Sequence, residues 1–304
     1  MNKLVLVCVA IVVIASILGL VAFIMMMMRN AASEKFTNST IPIYITSLND
    51  PVSKKRSATQ LQALGKYGIK KYKYNPALHW KRDADKISST FPNLTKASPH
   101  FVKRPGAYGL TASFLQFLKT AHKNKHKLVA WMEDDVIPAG SETIGATGVT
   151  GATKGDKKSQ LGADKHKQII VNFQNEYNAA LRNLPVHNND VYFFGHTSYC
   201  EPTPTSVTSG DSFVRIARDA KYKAGGPGTS FIIFSNDAVI AIQQWVTKND
   251  IDLPIDMLFM KFIRDEVITG WEVNRSITHN HMFYGLFEQI DTYCDHRENN
   301  TIDN

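Results

Sequence analysis

Three consecutive carboxylates, Glu133, Asp134 and Asp135, follow the apolar run 128–132, and Pro138 closes the stretch. The run reads as a central strand of a parallel sheet. Strand alternation then puts Glu133 and Asp135 on one face and Asp134 on the other. Three anions at the end of a buried strand repel one another and are costly to strip of water. A hard divalent cation, Mg²⁺ or Mn²⁺, relieves both, because it prefers oxygen ligands and often brings a phosphate with it. Open α/β sheets bind ligands at the carboxyl ends of their strands. Taken alone, the triplet reads first as a solvated acidic turn, and the surrounding elements reverse that reading.

A β-rich run at 41–48 leads through the turn Asn49-Asp50-Pro51 into a helix over 54–66. Ser53 is its expected cap, and Ala58, Leu61 and Leu64 recur at helical spacing. Lys54, Lys55 and Arg56 open this helix, where they face either phosphates or solvent. Residues 70–104 show little periodicity beyond a strand at 70–74 and read mainly as loop. Pro105 starts a helix with the apolar stripe Leu110, Phe114, Phe117, Leu118 and Ala121, which feeds into the acidic strand. Gly106 and Gly109 leave its first turn open to close approach.

Residues 139–167 are rich in Gly, Thr, Ser, Ala and Lys and read as a mobile insertion, either a plain surface loop or a lid over the acidic strand end. A helix at 169–184, a strand at 190–195 and a strand entered through Gly226 and Gly228 follow. Ser235 caps a helix over 238–246, and Asp256 opens another. Asp256 has a sufficient role as a first-turn residue and is also a candidate general base. His279 and His281 lie near the end of the chain, where either can complete a metal shell begun by carboxylates or serve structure alone.

The chain has 304 residues and a formal net charge of +8. The charge is scattered, with no nucleic-acid motif, so a polynucleotide partner is not expected. Residues 4–28 carry no charge and are almost wholly apolar, about 25 residues and enough to span a bilayer. This is longer than the apolar part of a cleavable leader. The expected organisation is a short tail and signal-anchor over 1–29, a polar stalk over 30–40, and one α/β domain over 41–304. Sequons at Asn38, Asn93, Asn274 and Asn299 favour a glycoprotein with its domain in a secretory lumen. Outside the anchor only Cys200 and Cys294 remain, and one disulfide or two free thiols both fit.

In this order the blocks resemble glycosyltransferase family 25, the lipooligosaccharide and collagen galactosyltransferase group. The resemblance rests on Ile43-Tyr-Ile-Thr-Ser-Leu48 with Arg56, and on Gly106, Gly109 and Ser113 leading to Glu133-Asp134-Asp135. It extends through Asn189-Asp-Val-Tyr-Phe-Phe-Gly195, Gly228-Thr-Ser-Phe-Ile-Ile-Phe-Ser235 and Pro254-Ile-Asp256. It covers roughly residues 41–265. Leu110 and Phe114 stand where that family usually has Cys and His.

The resemblance implies a GT-A-like nucleotide-binding α/β sandwich with a mainly parallel central sheet. It implies a hexosyltransferase that uses Mn²⁺ or Mg²⁺, and the apolar segment and sequons add a type II membrane anchor with the domain in the ER or Golgi lumen or otherwise outside the cytosol. The sugar, galactose or glucose, would pass from a UDP-sugar to a hydroxyl of a glycan or glycoprotein. Asp135 and Glu133 would hold the metal, and Ser47, Leu48, Arg56, Gly106, Gly109 and Glu133 the nucleotide. His281, outside the matched span and read from its residue type, would be a further metal ligand. Asp134 and Asp256 are the implied catalytic residues, with Asp256 as the acceptor-side base. The substituted Cys and His positions leave a second reading, a catalytically inactive relative acting as a surface or adhesion protein.

Overall fold

The computed structural model describes residues 41–138, 157–185, 188–195, 212–220, 229–273 and 286–289. Among them the chain is α/β. Its elements are β1 (Ile43–Ser47), α1 (Pro51–Lys66), β2 (Tyr72–Pro76), α2 (Ala84–Thr90), α3 (Pro99–Lys103), α4 (Pro105–Asn124), β3 (Leu128–Glu133) and β4 (Val136–Pro138). They continue with α5 (Lys157–Arg182), β5 (Asp190–Phe193), β6 (Phe213–Arg215), β7 (Phe231–Ser235), α6 (Asn236–Val246), α7 (Ile255–Arg264), β8 (Thr269–Val273) and β9 (Phe287–Gln289).

The main sheet is mixed, in the order β2-β1-β3-β7-β5-β8-β6. β1 pairs in parallel with β2 and β3, and β5 with β8. β7 is antiparallel to both β3 and β5, and β6 is antiparallel to β8. All the strands but β7 and β6 therefore point one way. A second, two-stranded sheet pairs β4 with β9.

β3 and β7 read as unbroken apolar runs because both faces of the sheet are covered. On one face α4 lays Phe114 and Phe117 against Trp131, Phe234 and, from α7, Phe259, with Phe114 centroids 5.4–5.8 Å from the last three. The alternate residues point the other way. There Phe231 meets Tyr177 of α5 at 6.2 Å and Phe287 of β9 at 4.4 Å.

Several expectations from the sequence need correcting. α1 begins at Pro51, not 54, and its cap is Asp50, whose carboxylate accepts from the Ser53 amide at 2.8 Å. Proline suits the first helical position because its missing N–H would have had no partner there. The buried face of α1 is Ser53, Ser57, Gln60 and Leu64, with Ala58 exposed. A polar stripe faces inward because it meets main-chain and hydroxyl groups. The stretch 77–104 is not simply loop, since α2 and α3 form within it. α5 starts at Lys157, so residues 157–167 are helical and not part of an irregular insertion. Lys, Gln, Leu and Ala there are good helix formers even without an apolar stripe. Ser235 does cap α6, accepting from the Ala238 amide at 3.1 Å.

The sequon residue Asn93 is bound into the fold. Its side-chain amide donates to the carbonyls of Val246 and Thr247 at the end of α6, both at 3.2 Å. Among the described residues no helix is long and apolar enough to cross a membrane. The expected anchor and stalk, the other three sequons, Cys200, Cys294, Gly226, Gly228, His279, His281 and residues 139–156 lie outside the described residues.

Candidate functional site

The parallel register aligns Thr46 with Glu133 and Ser47 with Pro76, so β1, β2 and β3 end together. A cleft of about 400 Å³ opens at these carboxyl ends, within the usual range for small-molecule sites. Its walls are Thr46 and Leu48 after β1, Arg56 of α1, and the segment 77–80 after β2. Gly106, Leu110 and Ser113 of α4, and Glu133, Asp134 and Asp135, complete it.

The acidic triplet does not alternate as a strand would. β3 stops at Glu133, and Asp134 and Asp135 form a two-residue turn into β4. Once the extended backbone ends, the rule of alternating faces no longer applies, and all three carboxylates line one cleft.

Each is held differently. The Thr229 hydroxyl donates to Glu133 Oε1. Loss of hydration pushes the Glu133 carboxyl well above the usual range, with further upward pressure from Asp135, Asp134 and Asp256, while the Thr229 bond opposes the shift. Asp134 is almost buried and pairs with Arg56 at 3.1 Å. Its Oδ2 accepts no hydrogen bond among the described residues. Gln60, fully buried, spans the turn: its amide nitrogen donates to the Glu133 carbonyl at 2.6 Å and the Val136 carbonyl at 2.8 Å.

These groups fit a hard divalent cation. A buried carboxylate oxygen lacks a donor, Asp135 and Asp134 raise the proton affinity of Glu133, and oxygen is the donor type that Mg²⁺ and Mn²⁺ prefer. Among the described residues no three His, Cys, Asp or Glu side chains stand as a ready-made shell.

The other nominated residues separate. Gly106 lines the cleft, and a Cβ there would meet nothing within 4 Å. Gly109 does not line it. A Cβ at Gly109 would stand 2.5 Å from the Leu78 carbonyl and 3.0 Å from the Trp80 amide nitrogen, so this glycine seats α4 against the segment 78–80. Ser113 fastens the same contact, accepting from the Leu78 amide at 2.8 Å. Ser47 lines a different pocket, of about 530 Å³, with Lys54, Leu61 and Tyr74. Phe114 is wholly inside the aromatic core, whereas Leu110 reaches the cleft.

Asp256, in the first turn of α7, lies outside the cleft wall but close enough to act electrostatically on Glu133. Burial raises its own pKa, against the amides of Met257 and Asp256 and the charges of Arg104 and His100.

Sequence reasoning missed His79 and Trp80, whose rings stack at 5.9 Å with a 23° tilt on the cleft wall. His79 Nδ1 accepts from the Lys81 and Arg82 amides, leaving Nε2 as the donor. Only the residue types Trp and His marked that stretch. Gln60 and Thr229 were missed because an isolated polar residue carries no signal of which face it occupies. No family model matches the chain, and no match was found among curated proteins.

Proposed function

We propose that this chain is a metal-dependent hexosyltransferase of GT-A-like architecture, similar to family 25. It would move galactose or glucose from a UDP-sugar to a hydroxyl of a glycan or glycoprotein. The observation that carries the reading is the convergence of Leu48, Arg56, Gly106 and the three carboxylates on one cleft at the carboxyl ends of β1, β2 and β3. The sheet order, with β7 reversed beside β3 and a small sheet alongside, is compatible with that architecture.

In this reading Asp135 and Glu133 hold Mn²⁺ or Mg²⁺, with His281 as a further ligand. The bound ion would neutralise charge on the departing diphosphate. Asp134 turns Arg56 toward the cleft, so a guanidinium borders the same anion. Stabilising the leaving group by fixed charges lowers the barrier without any rearrangement at the moment of transfer. Asp256, whose proton affinity is raised, is the acceptor-side base that takes the hydroxyl proton. The domain works outside the cytosol, in a secretory lumen, tethered by residues 4–28.

The test is release of UDP from UDP-galactose and UDP-glucose in the presence of glycan acceptors, with and without Mn²⁺. Metal-dependent turnover that falls on the order of a hundredfold in Asp135→Asn supports the proposal. Unchanged turnover in that folded variant would remove the metal assignment. Absence of turnover together with absence of metal-dependent nucleotide binding by the folded chain favours the inactive relative.

A further inference from the structure

We infer that Gln60 is the positioning residue of the acidic turn, holding the turn in the one arrangement that can take a divalent cation; this rests on the functional reading above. Gln60 lies one helical turn beyond Arg56 on the same face of α1. The two side chains divide the work. Arg56 binds the Asp134 carboxylate, and Gln60 binds the main chain on either side of the two aspartates.

The bonding geometry is specific. Both Gln60 bonds start from one nitrogen, so its two protons go to the carbonyls of Glu133 and Val136. Those carbonyls bracket Asp134 and Asp135. The chain leaves the main sheet at Glu133 and enters the small sheet at Val136, so no ladder of either sheet spans the turn. The Glu133 amide is tied to the Ser230 carbonyl at 3.3 Å, which anchors the β3 side only. Gln60 supplies the clamp across the gap. The carboxylates repel one another, and the clamp opposes their spreading apart before a cation arrives. Outer partners of metal ligands commonly change affinity by about 10–100-fold when removed.

The test compares Mn²⁺ titrations of the full chain in detergent, wild type against Gln60→Met, Gln60→Glu and Leu64→Ala. Met keeps the length and loses the donor, whereas Glu sets a carboxylate against two carbonyl oxygens. Leu64 is fully buried on the same helix face and its side chain can give no hydrogen bond to the turn, so Leu64→Ala reports plain loss of stability. Amide exchange of residues 131–137 is read on the same samples.

The expected result is Mn²⁺ affinity at least about tenfold weaker in both Gln60 variants, with faster exchange at 134–136. Leu64→Ala should melt earlier yet bind Mn²⁺ as wild type does. Wild-type affinity in a folded Gln60→Met protein contradicts this inference alone, as does equal weakening in Leu64→Ala. Failure of the wild type to bind Mn²⁺ contradicts the transferase reading, and the inference falls with it.

Discussion

Asp256 and Gly109 show how single residues beside this site are placed against the interest of stability or of side-chain freedom. Burial raises the Asp256 pKa above 3.8 in the folded chain. The folded state therefore holds the proton more tightly than the unfolded state, and this contribution to stability is lost as pH rises through the folded value. Asp256→Asn removes the charge. It should raise the melting temperature at neutral pH and give little or no gain near pH 3.8, while transfer falls. A melting temperature that drops at neutral pH would show that the carboxylate is well solvated or well paired. At Gly109 the added methyl of Ala meets backbone on two sides, which cannot yield as a side-chain tip can. Gly109→Ala should lower stability by about 1–3 kcal/mol, and nucleotide binding should weaken because Leu78 to Trp80 form one wall of the cleft.

Among the elements, α6 has each of its ends fixed by one side chain. Ser235 caps the start, and Asn93 gives both amide protons to the Val246 and Thr247 carbonyls at the finish. Ser235→Ala should cost about 1 kcal/mol, and Asn93→Asp, which replaces a donor by an acceptor facing carbonyls, about 1–3 kcal/mol. Thermal unfolding of the two variants checks both. A glycan on Asn93 would replace one of the same protons. In a secreted sample Asn93 should therefore be unmodified by mass spectrometry of the folded protein.

The order of strands and helices was legible wherever burial on both faces wrote long apolar runs, as in β3, β5 and β7, or where a stripe and proline marked a helix, as in α4. Strand direction was not, because β7 reads the same whether it lies parallel or antiparallel to β3. Short β4, β6 and β9, of three residues each, are too brief to carry a period. Of the site, Glu133, Asp134 and Asp135 were legible as an acidic strand end, but not as a turn with all three on one cleft. α1 misled because its inward stripe is Ser53, Ser57 and Gln60, a polar face that periodicity assigns to solvent. A helix that buries polar groups to hold a loop looks from sequence like one that buries nothing.

For the molecule as a whole, the proposed activity requires the cleft at the ends of β1, β2 and β3 to bind a nucleotide diphosphate through a divalent cation. Calorimetric titration of UDP into the full chain, first with Mn²⁺ and then with EDTA, measures this directly. Binding should require Mn²⁺ and be lost in Asp135→Asn. Binding of equal strength in EDTA, or none by the folded wild-type chain in either condition, would contradict the proposal.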